Sequence, residues 1–408
     1  MKRRVVVTGI GMVTPHGMVA DAVFDALLAG RSAVQRWDQD MPAPVLAART
    51  EFDPGRWFTR LQLAGVDRVS QMAVAAAELA CDDAGTAPAG ATAGVYVGTG
   101  MGGAAALDQA YANLHGKRRI HPLTIPAFMP NAPAAHVSMR LQIHGPVLTY
   151  SIACASSAVA IAEAARAVAR GDLEMALAGG SEAQVVPGAV ASWQSLQTLA
   201  AADCADPVRA CQPFASTRSG LVLGEGAAFL LLEPHAHAVA RGARIYAEIA
   251  GSGFSSDALH LTKPDAAGQV RALQAALHMA QRDSDVTIGD VGYCNAHGTG
   301  TVVGDVVECT ALRTVWGDAI DDLAVSSTKA LHGHLLGAAG ALEAAVTAMA
   351  LYRQALPPAL HCDRQDPACA IRLVQPGATV ETILKAAISN SFAFGGANQV
   401  LVFKRAET

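Results

Sequence analysis

Charge is scarce in this 408-residue chain: Asp, Glu, Lys and Arg make up 16% of it, and the formal net charge is −5. Without a basic excess there is no electrostatic footprint for nucleic acid, and that class of ligand is not expected. Paired cysteines are missing as well. The cysteines stand at 81, 154, 204, 211, 294, 309, 362 and 369 with no C-x-x-C among them, which removes the zinc ribbon and the redox dithiol. Such a chain reads as reduced and cytoplasmic. No stretch is apolar enough to span a bilayer: residues 84–107 are crowded with glycine, and 183–202 carry Pro187, Gly188 and several Ser and Gln. The opening MKRRVVVTGIGMVTPHG is basic but breaks at Gly9, Gly11 and Pro15, so it reads as a strand and turn, not a signal peptide. Short repeats, coiled coil and low-complexity tracts are absent.

What is plentiful is small and apolar. The chain is 51% hydrophobic, led by Ala, with 38 Gly, a composition suited to close helix–sheet packing around a large core. Short apolar runs at Val5–Ile10, Gly94–Thr99, Met175–Gly180 and Ala227–Glu233 read as buried strands. Helical patterns at Ser70–Asp83 and Ala155–Arg170 lie between them. After Ala240 the alternation restarts, with helices at Gly268–Asp283 and about Ala338–Gln354. Strands are expected at Val291–Gly298, Leu323–Lys329, Ala387–Asn390 and Gln399–Lys404. The pattern predicts a mostly parallel sheet with helices on both faces, in two similar blocks. Residues Gly116–Pro133, rich in Pro, His and Arg, read as a cap or interface segment.

Cys154 stands where the strand-like run Pro146–Ala153 meets a small-residue helix. Unpaired N–H groups and the helix dipole at that end favour thiolate and could hold an oxyanion. Position alone leaves two readings open, a nucleophile or a buried thiol acting as a small hydrophobe. His297, in NAHGTGT, and His334, between a strand and an Ala-rich helix, occupy the strand ends where α/β sheets place ligands. Together the three favour a nucleophile with acid/base partners. No two of them stand at metal-ligand spacing, so no metal is expected.

Four strings, YSIACASSA, NAHGTGT-x-x-GD, SSTKALHGHLLGAAGALE and SNSFAFGGAN, resemble the β-ketoacyl-acyl carrier protein synthases of the thiolase superfamily, most closely the elongating, synthase II-like type. The resemblance runs along essentially the whole chain. It implies an α/β thiolase-like fold, with duplicated halves forming layers α-β-α-β-α. Residues 1–240 would carry the nucleophile, and 241–408 the histidine pair and gating loop. It implies a decarboxylative Claisen condensation: Cys154 takes an acyl group as a thioester, while His297 and His334 stabilise the enolate formed from malonyl-carrier protein. The backbone N–H groups of Cys154 and Phe394 would form the oxyanion hole. Lys329, balanced by Glu343, would bias the histidine pair, and Asp305 would organise the His297 loop. Thr299 and Thr301 would touch the phosphopantetheine arm. Phe392 and Phe394 lie in the C-terminal loop, where Phe394 would gate the acyl pocket and Ala393 replaces the first family glycine. Leu107 would stand at the pocket wall and Trp193 in a loop beside the gate.

No cofactor beyond the phosphopantetheine of the acyl carrier protein is implied. The partner is that carrier protein, in a homodimer or a heterodimer with a related ketosynthase-like subunit. Gln212, Ala215, Ser219 and Leu221 replace residues that pin loops near the family's entrance, which opens specialised polyketide or aryl-polyene pathways beside fatty-acid synthesis. Two rivals remain. A thiolase-type acyltransferase would need a second cysteine where Phe392 and Phe394 stand, and a chain-length-factor-like partner typically lacks the nucleophile that Cys154 supplies.

Overall fold

The computed structural model describes residues 3–37, 41, 43–203, 205–378 and 382–406; Met1, Lys2 and Cys204 lie outside them. The first half contributes strands β1 (Val5–Val13), β2 (Ala93–Gly98), β3 (Val147–Tyr150), β4 (Met175–Glu182) and β5 (Gly226–Pro234). The second contributes β6 (Ala247–Ser256), β7 (Val291–Asn295), β8 (Ala324–Ser326), β9 (Ala386–Phe392) and β10 (Ala397–Lys404). They form one 10-stranded sheet in the order β8-β7-β9-β10-β6-β1-β5-β4-β2-β3. Read outward from the centre, the halves are β1-β5-β4-β2-β3 and β6-β10-β9-β7-β8, the same topology twice. They join where β1 and β6 pair at Val6↔Glu248 and Val7↔Ala247.

The sheet is not mostly parallel, as the sequence pattern predicts. Parallel pairing is confined to β4-β2-β3 and β9-β7-β8, and the central pairs are antiparallel. For the β9-β10 pair the reason is connection length. Only residues 393–396 separate β9 from β10, too few for a crossover, so the chain must turn back as a hairpin.

Helices α1 (Arg68–Ala84), α2 (Ser156–Arg170), α3 (Ala266–Ser284), α4 (Gly304–Trp316) and α5 (Ala339–Arg353) complete the layers. Asp67 caps α1 through the Val69 N–H, and Gly85 ends it in the left-handed conformation. Helices α1 and α3 cover the outer faces, whereas α2 and α5 pack on each other and on both half-sheets. Every residue from Ala339 to Leu351 is buried. Alanine suits this middle layer, since it combines high helix propensity with a side chain short enough for close approach. A larger residue there would overpack, at a cost of roughly 1–3 kcal/mol. At Gly98 the approach is closest, for a Cβ would lie 2.1 Å from the Ser157 nitrogen. No helix among the described residues is long and apolar enough to cross a membrane.

Candidate active site

The parallel strands of both halves end at one place, and the loops that follow them build a single cluster. After β3 the chain reaches Ala153, whose φ of +44° is unfavourable for an L-residue, and turns sharply into Cys154 and then α2. The Ser156 side chain closes this elbow by donating to the Ala153 carbonyl (2.6 Å) and accepting from the Ile152 N–H (2.8 Å). Cys154 is 6% exposed. The expectation of a depressed thiol pKa fails here. Burial pushes the Cys154 thiol up to about 12, against the pull of the Lys329 charge and of the Phe394 N–H, which bonds to the sulfur. A position at a helix terminus does not offset the burial of a thiolate.

His297 follows β7, and His334 follows the short helix Lys329–His332. His334 Nε2 lies 3.0 Å from Cys154 Sγ, and the two imidazoles meet edge-on with centroids 5.4 Å apart. Burial and the nearby Lys329 charge hold both histidines well below the usual imidazole range. They are therefore neutral near pH 7. The neighbouring His332 is a different case. Its ring is satisfied by the Gly333 carbonyl and the Thr328 hydroxyl and faces no thiol.

Lys329 opens that short helix instead of ending the strand, as its pattern suggests. It is fully buried and pairs with Glu343 on α5. Burial pushes the Glu343 carboxyl up to about 7 despite this cation. Asp305 accepts from the N–H groups of Gly300 (3.1 Å), in the loop after His297, and of Phe214 (2.8 Å).

Two carboxylates escape the sequence reading. Glu308 on α4 accepts the N–H groups of His297 (2.8 Å) and Gly298 (2.7 Å) and the Asn390 amide (3.0 Å). Glu182, ending β4, accepts from Gly100, Met101 and Gly337, and so ties the first half to the loop beyond His334. Burial pushes Glu182 up to about 7. The one available signal is a lone acid closing the apolar run MALAGGSE. Gly337 is obligatory at this junction, because a Cβ would lie 2.3 Å from the Gly100 nitrogen.

A cavity of about 330 Å³ reaches the cluster, with Cys154, His297 and His334 at its inner end. Thr299, Thr301, Trp193, Phe392 and Phe394 also line it. The Thr299 and Thr301 hydroxyls are 3.0 Å apart. Phe394 sits in the tight connection between β9 and β10, held by the Gly395 N–H on the Leu261 carbonyl (2.7 Å). Trp193 lies not in a loop but on helix Pro187–Ser195, stacked on Phe394 with centroids 6.0 Å apart and planes inclined by 28°. Of the altered segment, Ser219 and Leu221 line the cavity, whereas Gln212 and Ala215 do not. Leu107 does not line it either. Its helix, Ala104–His115, packs on the helices Thr124–Phe128 and Pro187–Ser195, which leaves Leu107 half-buried away from the cavity wall.

The spacing argument against a metal is also overruled, since the donor atoms of Cys154, His297 and His334 lie within 4.8 Å of one another. The second ring nitrogens speak instead. Nδ1 of His297 and of His334 has no hydrogen-bond partner among the described residues, whereas metal-ligating histidines are steadied through that atom. The cluster fits thiol and imidazole chemistry better.

Comparison with known proteins agrees with this geometry. The family models "Beta-ketoacyl synthase, N-terminal domain" and "Beta-ketoacyl synthase, C-terminal domain" match residues 2–238 and 246–363. The 3-oxoacyl-[acyl-carrier-protein] synthase 2 of Vibrio cholerae serotype O1 is 37% identical over 414 aligned residues, covering 99% of each chain. Among solved structures, the ishigamide ketosynthase/chain length factor superposes with a TM-score of 0.91 at 30% identity. A type II PKS ketosynthase, bound to a hexaketide and in complex with its acyl-carrier protein, gives 0.89 at 27%. Both cover 100% of each chain.

Proposed function

The chain belongs to the beta-ketoacyl synthase family, and from that premise we propose how its residues divide a decarboxylative Claisen condensation. Acyl-carrier protein delivers its acyl group to Cys154 Sγ; the Cys154 proton passes to His334 as the sulfur attacks and on to the departing carrier sulfur, which leaves as the thiol and restores a neutral imidazole. A thiol this buried is activated by that transfer, not by standing as thiolate. The N–H groups of Cys154 and Phe394 hold the carbonyl oxygen during acyl transfer, with Phe394 already aimed at the sulfur. Malonyl-carrier protein then binds, and its thioester oxygen is held by the neutral imidazoles of His297 and His334. Loss of CO2 leaves an enolate, whose carbon attacks the Cys154 thioester. The product is 3-oxoacyl-carrier protein, and the released Cys154 sulfur takes up one proton from solvent, the proton that condensation of a malonyl carboxylate consumes. Lys329 keeps both histidines uncharged, as hydrogen-bond donors to the enolate require.

One observation carries this reading: a thiol 3.0 Å from an imidazole and beside a second, at the inner end of a cavity. His334→Ala tests it. Both steps are expected to fall by on the order of a hundredfold or more: acyl loading because the buried thiol loses its base, and malonyl decarboxylation because one of the two enolate donors is gone. Undiminished condensation would remove His334 from the mechanism.

The substrates arrive on phosphopantetheine, whose amides Thr299 and Thr301 meet along the cavity. A second copy of this chain is the proposed subunit partner. Edge strand β3 leaves Val147 and Leu148 exposed, and the segment 116–133 adds exposed Leu123, Ile125 and Met129. Domain halves 1–240 and 241–408 are proposed as the units that each supply part of the site. The Trp193 indole on Phe394, with Ser219 and Leu221 in the lining, supports a dedicated polyketide or aryl-polyene synthase at least as well as a housekeeping one. Trp193→Ala is expected to change product length or starter preference. An unaltered product profile would reduce the indole to packing.

A further inference from the structure

Arg218 takes no part in the steps above, yet its side chain is only 3% exposed and every arm of it is engaged. Nε donates to the Thr301 carbonyl (3.0 Å) and Nη2 to the Val302 carbonyl (2.7 Å). Nη1 donates to the Ala215 carbonyl (2.8 Å) and to Asp366 Oδ2 (2.7 Å). Asp305 Oδ2 lies 3.9 Å from Nε and accepts the Phe214 N–H, while Oδ1 accepts that of Gly300. One guanidinium thus grips two successive carbonyls of the loop that carries Thr299 and Thr301. Val302 and Val303, next in that loop, line the cavity and are 60% and 58% exposed, so they mark its mouth. A rim of exposed valines has little burial to hold it and depends on tethers from beneath.

We infer that Arg218 is a positioning residue for the substrate's phosphopantetheine arm: its fixed fork sets the Thr301–Val302 backbone and so aims the Thr299 and Thr301 hydroxyls into the cavity. The inference rests on the proposed role of those threonines. A lysine keeps the charge but cannot reach two carbonyls and Asp366 together, because an ammonium lacks the planar fork.

The test compares acylation of Cys154 by two donors of the same acyl group, acyl-CoA, which carries the full arm, and the S-ethyl thioester, which has no amide. For Arg218→Lys, KM with acyl-CoA is expected to rise roughly tenfold with the saturated rate within about threefold, while the S-ethyl reaction stays within about twofold. Amide hydrogen exchange across residues 299–303 is expected to quicken. Equal loss with both donors would assign Arg218 to general stability, and no loss with either would leave it without a positioning role; each overturns the inference. Thr299→Ala and Thr301→Ala separate it from the reading beneath it. If these leave the two donors equally affected while Arg218→Lys still distinguishes them, the threonine role fails and the Arg218 tether stands. Should Arg218→Lys melt below the assay temperature, Asp366→Asn loosens a single arm and carries the same comparison.

Discussion

Cys154→Ala is expected to carry no acyl label from acyl-carrier protein, with condensation lowered by on the order of ten-thousandfold or more. Neutral His297 and His334 stay in place in this variant, and neither depends on the thiol for its backbone anchors. His297 is held by Glu308, and His334 by its N–H on the Val222 carbonyl and its own carbonyl beneath Gly224. Decarboxylation of malonyl-carrier protein should therefore outlast loss of the acyl step. Intact-mass spectrometry of the loaded protein, beside an assay of released CO2, separates the two. An acyl adduct persisting in Cys154→Ala would place the nucleophile elsewhere.

Lys329→Met is the second large effect. Its ammonium is the partner of Glu343, both are buried, and Glu343 Oε2 has no hydrogen-bond partner of its own among the described residues. Removing one member of such a pair costs about 3–5 kcal/mol. Glu343 can blunt the loss by holding a proton, and this fixes the pH dependence. Its folded-state pKa, already raised to about 7, rises further without the cation. Below pH 7 the carboxyl is protonated in both proteins and the deficit is level. Above it the variant keeps a proton that the parent has released, so the deficit grows by up to about 1.4 kcal/mol per pH unit. Urea unfolding at pH 6 and pH 9 checks this, and a deficit that does not change would show that Glu343 is not the group left exposed. The same substitution lifts a positive charge from the histidines. Their pKa values move up, and the acid limb of condensation moves to higher pH with them.

Much of the architecture was legible because buried strands and Ala-rich helices leave local marks. The run at Val5–Ile10 lies within β1, Met175–Gly180 within β4, and Gly268–Asp283 within α3. Strand direction left no such mark, since it depends on how long each connection is and where it returns. Lys329 shows the same limit at a smaller scale: its residues continue a strand pattern, but the chain must turn into a short helix to bury the ammonium against Glu343. Glu182 and Glu308 were invisible as site residues because a lone acid in an apolar stretch has no periodicity. Each gains meaning only from the amides that the fold turns towards it.

By itself the sequence determined the family and its reaction, the thiol at a strand–helix elbow, and which histidines stand at strand ends. These are properties of local strings and their order. The tertiary structure alone decided that His334 comes within 3.0 Å of the sulfur, and that Leu107 lies off the cavity while Trp193 stacks on Phe394. It also decided the state of the thiol. A helix terminus favours thiolate wherever water is present, but only packing determines whether water is present. Here the burial that gathers Cys154, His297 and His334 outweighs the helix terminus, raising the thiol pKa and lowering those of the imidazoles, and it is from this state that the proposed proton transfer starts.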